Sequence, residues 1–304
     1  MIFIWGKGNF LKKVSLPPQK TQKTQKAQKP IKNKGGGRMR TAIDGLVLRE
    51  HDSGENDKLL LVLTAEMGKI WVVAKGGKSI KSKKSAICHA FTYAEFEIYE
   101  KNERYWLSGG SPNNIFFSYR PDVDGYALGA YIASICDEIS TEGESDEAKI
   151  ILRATLNAFY AIEKKLYPFE QIKAAYELFA AAVSGFCPDL SACGECEKTP
   201  SDELFWLDVM NGGILCGDCK AKRPTGADVL ETDEFNARSI LLPLDQTSLA
   251  AIRYCVGAPV NRLFSFSVTN EKSARLFYRA AEAYLLNHLE RGFDALAFYY
   301  KIKD

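Results

Sequence analysis

Four cysteines fall as two pairs, Cys193-Gly-Glu-Cys196 and Cys216-Gly-Asp-Cys219, with nineteen residues between the pairs. Two thiolates two residues apart can grip one side of a tetrahedral ion, and two such pairs close its shell. Gly194 and Gly217 are expected to allow the tight turn inside each pair. Four sulfurs leave no position for water or substrate, so one zinc ion held here would be structural rather than hydrolytic. Disulfides are the competing chemistry, and they belong to oxidising compartments. This chain reads as cytoplasmic. It has no run of eighteen apolar residues, and its start, MIFIWGKGNFLKKV, has too short an apolar stretch and no small-residue cleavage site for a signal peptide. Cys88, Cys136, Cys187 and Cys255 sit among apolar neighbours and are expected in the core, Cys187 near enough to the pairs to be a spectator thiol.

The second set of chemistry-bearing residues is basic. From Gly68 to Ala94 there is no acid, and six lysines occur: Lys69, Lys75, Lys78, Lys81, Lys83 and Lys84. Spread cations of this kind suit the repeating phosphates of a polymer better than those of one nucleotide. Trp71, Tyr93, Tyr99, Tyr105 and Trp106 accompany them, and aromatic rings beside a basic track are what single-stranded nucleic acid stacks on. The plainer reading, a solvated loop over a normal aromatic core, holds for any single aromatic. An acid-free stretch of this length inside an acidic chain favours binding.

Catalytic constellations are missing from the pattern. Lys75-Gly-Gly-Lys78-Ser79 ends like a phosphate-binding loop, but the glycine needed five positions before Gly77 is Val72, and more lysines follow where a helix should open. His51, His89 and His288 fall in a turn, a barrel segment and a helix, with no G-x-S-x-G elbow. The acid groups Asp52/Glu55/Asp57 and Glu142/Glu144/Asp146 lie in loops. A binding protein, not an enzyme, is expected.

The elements that must position these residues change character along the chain. TAIDGLVLRE, KLLLVLTAE, GKIWVVAK, AFTYAEFEIYE and RYWLSGG read as five strands joined by turns such as DSGEND and EMGK. Five short strands in this length fit an OB-fold barrel, with an SH3-like barrel as the rival. Beyond Pro121 the period becomes helical in YALGAYIASICDEI, EAKIILRATLNAFYAIEKKL and PFEQIKAAYELFAAAVSGF. In the last, Phe169, Ile172, Tyr176, Phe179, Val183 and Phe186 form a single apolar stripe at helical spacing. Helices resume at QTSLAAIRYCV and SARLFYRAAEAYLLNHLE. The expected class is α+β: a barrel domain at 39–120, then a helical domain at 121–304 with a zinc knuckle inserted at 187–223.

Charge is segregated under a formal net of +2. Residues 1–38 carry +10, residues 39–120 carry +2 and residues 121–304 carry −10. The folded part is net acidic, so any nucleic acid must be held by a local patch rather than bulk charge. Residues 17–38 form a Lys/Gln/Thr stretch with too little apolar surface to fold. KGGGR before Met39 can be encoded by purine-rich codons resembling a ribosome-binding site. Residues 1–38 are therefore expected to be an over-extended gene reading or a dispensable basic tail.

GLVLREHDSGENDKLLLVLTAEMGKIWVVAKGGKSIKSK resembles the N-terminal barrel of the bacterial recombination mediator RecO family. YELFAAAVSGFCPDLSACGEC and FWLDVMNGGILCGDC resemble its C-terminal domain with a zinc knuckle. The likeness runs over about 39–290, with one departure at Glu197, where a glycine often follows the second cysteine. The resemblance implies a non-enzymatic role in recombinational DNA repair: binding single- and double-stranded DNA, annealing strands, working with RecR and the tail of single-stranded DNA-binding protein, and helping load RecA. It implies Arg49, Lys75, Lys78, Lys81, Lys83 and Lys84 as the DNA-contacting set. Arg262, Lys272, Arg275 and Arg279, next to Leu276 and Phe277, are candidates for the acidic-tail site, against an ordinary solvated helix face. The competing class is a zinc-ribbon scaffold acting on RNA or in transcription.

Overall fold

The computed structural model describes residues 40–79, 82, 84–117, 122–223 and 240–303. Residues 1–38, Lys81 and Lys83 lie outside the described residues. Five strands come first: β1 (Arg40–Ser53), β2 (Asp57–Thr64), β3 (Gly68–Ala74), β4 (Thr92–Lys101) and β5 (Arg104–Ile115). They close into a barrel in the order β1-β2-β3-β5-β4, antiparallel throughout except for the short parallel β3–β5 seam. This is the OB-like barrel expected. Ile43, Val47, Leu60, Val62, Ile70, Val72, Phe96, Ile98 and Leu107 fill its interior.

β2 reads as a continuous apolar run because both of its faces are covered. Leu60 and Val62 point into the barrel, while Leu61 and Leu63 join Leu46 and Leu48 of β1 against the helices. A strand with one face in water would alternate instead. The β2–β3 turn touches the helical part directly. Gly68 has φ +62, and a Cβ there would collide with the carbonyl oxygens of Thr141 and Gly143. The turn needs glycine for both reasons.

The helical part comprises α1 (Val123–Ile139), α2 (Asp146–Glu163), α3 (Phe169–Val183), α5 (Gln246–Gly257), α6 (Glu271–His288) and α7 (Asp294–Lys303). Side-chain caps start four of them: Asp122, Ser145, Asp245 and Asn270 each accept from the backbone N–H three residues on. Between α3 and α5 lies an insert with β6 (Phe205–Asp208), β7 (Gly213–Cys216), the short helix α4 (Gly217–Lys222) and β8 (Leu241–Leu244). Its strands form one sheet in the order β7-β6-β8. Phe205, Leu207, Ile214, Leu215, Leu242 and Leu244 of this sheet belong to the same core cluster as the bundle.

α3 departs from the single stripe expected of it. Every residue from Gln171 to Ala181 is buried, so α3 is the central helix of the bundle. Helices pack on it from all sides, and its polar residues must be satisfied inside. The helix stops at Val183: Gly185 has φ +91, and the N–H groups of Phe186 and Gly185 return to the carbonyls of Ala181 and Ala182. Phe186 therefore lies outside the stripe, 39% exposed and stacked on His288. Cys88, Cys136 and Cys255 are buried as expected, but Cys187 is exposed. Among the described residues, no helix is long and apolar enough to cross a membrane.

Candidate nucleic-acid interface and metal centre

Alternation along β3 sets the outer face of the barrel. Ile70, Val72 and Ala74 point inward, which turns Lys69, Trp71, Val73 and, just past the strand, Lys75 outward. Pairing aligns Arg49 of β1, Leu61 of β2 and Trp71 in one row, and His51, Leu59 and Val73 in the next. Trp71 is 40% exposed and leans on the His51 ring at 5.8 Å. Across the β3–β5 seam Val73 pairs with Trp106, and the Lys75 Nζ sits 5.5 Å over the Trp106 ring. Exposed Trp71 and half-buried Trp106, with Lys75 over the latter, thus lie on the outer side of the barrel.

The remaining aromatics sort differently. Tyr105 packs against the barrel interior. Tyr93 packs against the helical core, where burial, with Asp44 and Glu66 nearby, pushes its hydroxyl pKa up to about 12. Tyr99 is half-buried on β4 opposite Trp106. Trp71 and Trp106 are the rings placed for stacking.

The four described candidate DNA cations hold distinct positions. Lys75 is exposed. Lys78 donates to Gly54 O at 2.8 Å and pairs with the exposed Asp52 at 3.1 Å, tying the lysine segment to the β1–β2 turn. Lys84 donates to Leu107 O at 2.8 Å, which anchors it without neutralising its charge. Arg49 pairs with Asp137 of α1. Lys81 and Lys83 fall outside the described residues. The backbone N–H groups of Gly76, Gly77, Lys78 and Ser79 go to Asp57 Oδ1, Ala74 O, Asn56 O and Gly76 O. With those four donors used internally, the described residues of the segment offer no cradle for a nucleotide phosphate.

The four cysteines come together. Their sulfurs all lie within 4.8 Å of one another, with Cys196 and Cys216 at 3.6 Å. Ligand bonds of about 2.3 Å in a tetrahedron place sulfurs roughly 3.8 Å apart, so the donor set fits a tetrahedral ion and could hold one. Two turns build it. In the first, the Cys193 N–H donates to Lys198 O and the Glu197 N–H to Cys193 O; in the second, Cys216 ends β7 and Cys219 sits in the first turn of α4. Neither Gly194 nor Gly217 adopts positive φ. The residue that does is Glu197, at φ +59. A glycine would hold that conformation without the cost of about 1–2 kcal/mol that a Cβ incurs there. The departure at Glu197 is thus a strained turn beside an intact ligand set. Burial opposes ionisation of Cys193, yet the N–H groups of Cys216, Glu195 and Cys196 bring its thiol down to about 6. Cys219 is pushed far the other way, first by its contact with Cys196, then by burial and by Cys216 and Cys193. One thiolate forms readily and the next resists, a repulsion that a divalent cation would relieve.

The candidate partner face on α6 is split by the helix itself. Lys272, Arg275 and Arg279 are exposed, Leu276 is half-buried, and Phe277 is fully buried against Phe266. Ser273, Phe277, Ala280, Ala281 and Tyr284 form the inward stripe, so Phe277 cannot also meet a ligand. Arg275 is paired with Glu271. Arg262 is exposed at the end of a short 3-10 turn. Beside it runs a groove of about 330 Å³ lined by Arg153, Asn157, Tyr160, Leu166, Tyr167 and Phe264. Sequence spacing did not point to that groove, because its walls come from segments far apart in the chain.

Residues 39–116 match the family model described as recombination protein O N terminal, and residues 120–297 match recombination protein O C terminal. A DNA repair protein RecO of Alkaliphilus metalliredigens is 30% identical over 182 residues, which cover 60% of this chain and 72% of that one. That of Acetivibrio thermocellus is 25% identical over 254 residues, 84% of this chain and 94% of its own. That of Pelotomaculum thermopropionicum is 29% identical over 256 residues, 84% and 91%. With both halves of the fold matched in order, the chain belongs to the RecO family of DNA repair proteins.

Proposed function

We propose that this chain is a non-enzymatic recombination mediator that binds single- and double-stranded DNA on the barrel and anneals complementary strands. The observation that carries this reading is the outer barrel face, on which Trp71 stands exposed and Lys75 sits over the half-buried Trp106. Stacking on such rings is worth about 1–3 kcal/mol per base, and lysine contacts add a salt-dependent term common to all sequences. Lys78, Lys81, Lys83 and Lys84 extend that track. The four cysteines hold one structural zinc, since soft thiolates in a closed tetrahedron select it. RecR and RecA are the further partners, and the protein works in the cytoplasm on the nucleoid.

In the same reading, the acidic tail of single-stranded DNA-binding protein docks in the groove beside Arg262 rather than along α6. Arg153 lines it and exposed Arg262 follows its wall residue Asn261, while Tyr160, Leu166 and Phe264 supply apolar walls. A peptide that is acidic and apolar-ended needs both.

Annealing of complementary strands coated with single-stranded DNA-binding protein tests the mediator role. The native chain is expected to accelerate duplex formation well above the spontaneous rate without nucleotide, and Arg153→Ala to slow it on coated strands only. Spontaneous rates in the presence of the protein, or binding confined to RNA, would overturn the reading.

A further inference from the structure

Two barrel cations converge on one carboxylate. Arg49 reaches Asp137 Oδ2, while Lys69 Nζ lies 2.9 Å from Asp137 Oδ1 and 2.6 Å from the Asp137 carbonyl oxygen. Asp137 stands in the last turn of α1, where the helix dipole is negative and an acid is disfavoured. It is only 19% exposed, whereas the Arg49 side chain is 46% exposed. The cations lie on the barrel face already described: Arg49 shares a row with Trp71, and Lys69 is two residues from Trp71 on the outer side of β3. A guanidinium fork that fits a carboxylate also fits a phosphodiester.

We propose that Arg49 and Lys69 form a phosphodiester subsite that Asp137 occupies as an internal competitor. A DNA strand lying across Trp71 gains this contact only by displacing the carboxylate. The proposal rests on the reading of the barrel as a DNA-binding face. Displacement stays local, because the joint has other bonds. Lys69 N–H donates to Thr141 O at 2.9 Å, Gly143 N–H donates to Met67 O at 3.1 Å, and Gly68 bridges to Glu142. The carboxylate therefore sets how much positive charge the barrel shows to DNA, without being needed to hold the barrel on the bundle.

Asp137→Asn keeps the shape and removes the charge. Measured with single-stranded oligonucleotides over a salt series, it is expected to raise affinity and steepen the log–log slope by about 0.7 to 1.4, one or two phosphate contacts. Arg49→Gln should cancel most of the gain in the Asp137→Asn background and lose less in the native chain, where Asp137 already holds the guanidinium. Unchanged affinity and slope in Asp137→Asn would overturn the proposal. So would an equal or larger loss from Arg49→Gln in the native chain than in the Asp137→Asn background, since the carboxylate would then mask nothing; Asp137→Ser, read the same way, serves if Asp137→Asn folds poorly. If the native chain binds no DNA at all, the underlying reading fails and this proposal with it.

Discussion

Cys216→Ser is expected to take the metal content from one zinc per chain to near zero and to unfold more than the knuckle. Cys216 is fully buried, ends β7, and starts the turn that carries Cys219. Removing one of four thiolates opens the shell and leaves three sulfurs crowded without their cation. Structural zinc contributes on the order of 10 kcal/mol of apparent binding free energy at neutral pH, comparable with the whole stability of a domain. Because the β7-β6-β8 sheet shares its core with the bundle, loss of the ion is expected to loosen α5 and α6 as well, while the barrel keeps its own interior. Elemental analysis together with hydrogen exchange checks this. Native protein purified under reducing conditions without metal, or a Cys216→Ser chain with full exchange protection in α5 and α6, would contradict it.

Lys173→Met is expected to cost about 3–5 kcal/mol, the penalty of leaving a buried charge without its partner. Lys173 and Glu177 are both buried on α3 and pair at 2.8 Å; Lys173 also pairs with Glu282 of α6. Tyr131 of α1 donates to Glu177 Oε1 at 2.8 Å, and Tyr300 of α7 donates to Glu282. One ammonium thus ties four helices together. Burial works against the Lys173 charge, but Glu177 and Glu282 outweigh it and hold the ammonium protonated. With one cation for two carboxylates, the excess falls on Glu177, whose Oε2 is buried without a hydrogen-bond partner among the described residues. Burial, only partly offset by Lys173, pushes its pKa up to about 6 from an ordinary 4.5. Between those values the folded chain binds more protons at this group than the unfolded chain, so its contribution to stability falls as pH rises through the window. Lys173→Met removes the main group that lowers that pKa, leaving only the Tyr131 hydrogen bond. Its thermal deficit should therefore be largest at neutral pH and shrink on acidification as Glu177 takes a proton. A deficit that is small or independent of pH would show that the pair is not energetically coupled.

Much of this was legible because periodicity reports burial. The barrel strands, α1, α2, α5 and α6 all appear where alternation or helical spacing places them, and the double-sided burial of β2 is written as an unbroken apolar run. The cysteine pairs could be paired by spacing alone, since chelation fixes their geometry. Other features depend on tertiary partners. The all-round burial of α3 is hidden because Gln171, Lys173 and Glu177 look like a solvent face, although Gln171 donates to Phe264 O and Phe266 O inside. β8 is four residues with a proline, tolerable because it is an edge strand of its sheet. Phe277 was misplaced by its basic neighbours, although Ser273, Ala280, Ala281 and Tyr284 already mark its stripe. The Asp137 contacts to Arg49 and Lys69 span 88 and 68 residues, beyond any local signal.

The salt dependence of single-stranded DNA binding tests most directly whether the barrel's lysine face holds nucleic acid. The informative variant replaces Lys75, Lys81 and Lys83 with Ala, leaving Lys84 because its ammonium is anchored to Leu107 O. Each lost phosphate contact removes about 0.7 from the log–log slope, so three should flatten it by about two and weaken binding across all sequences alike. Zinc content and melting temperature should stay at the native values. Native affinity and slope in the triple variant would contradict the account and place the DNA site elsewhere on the molecule.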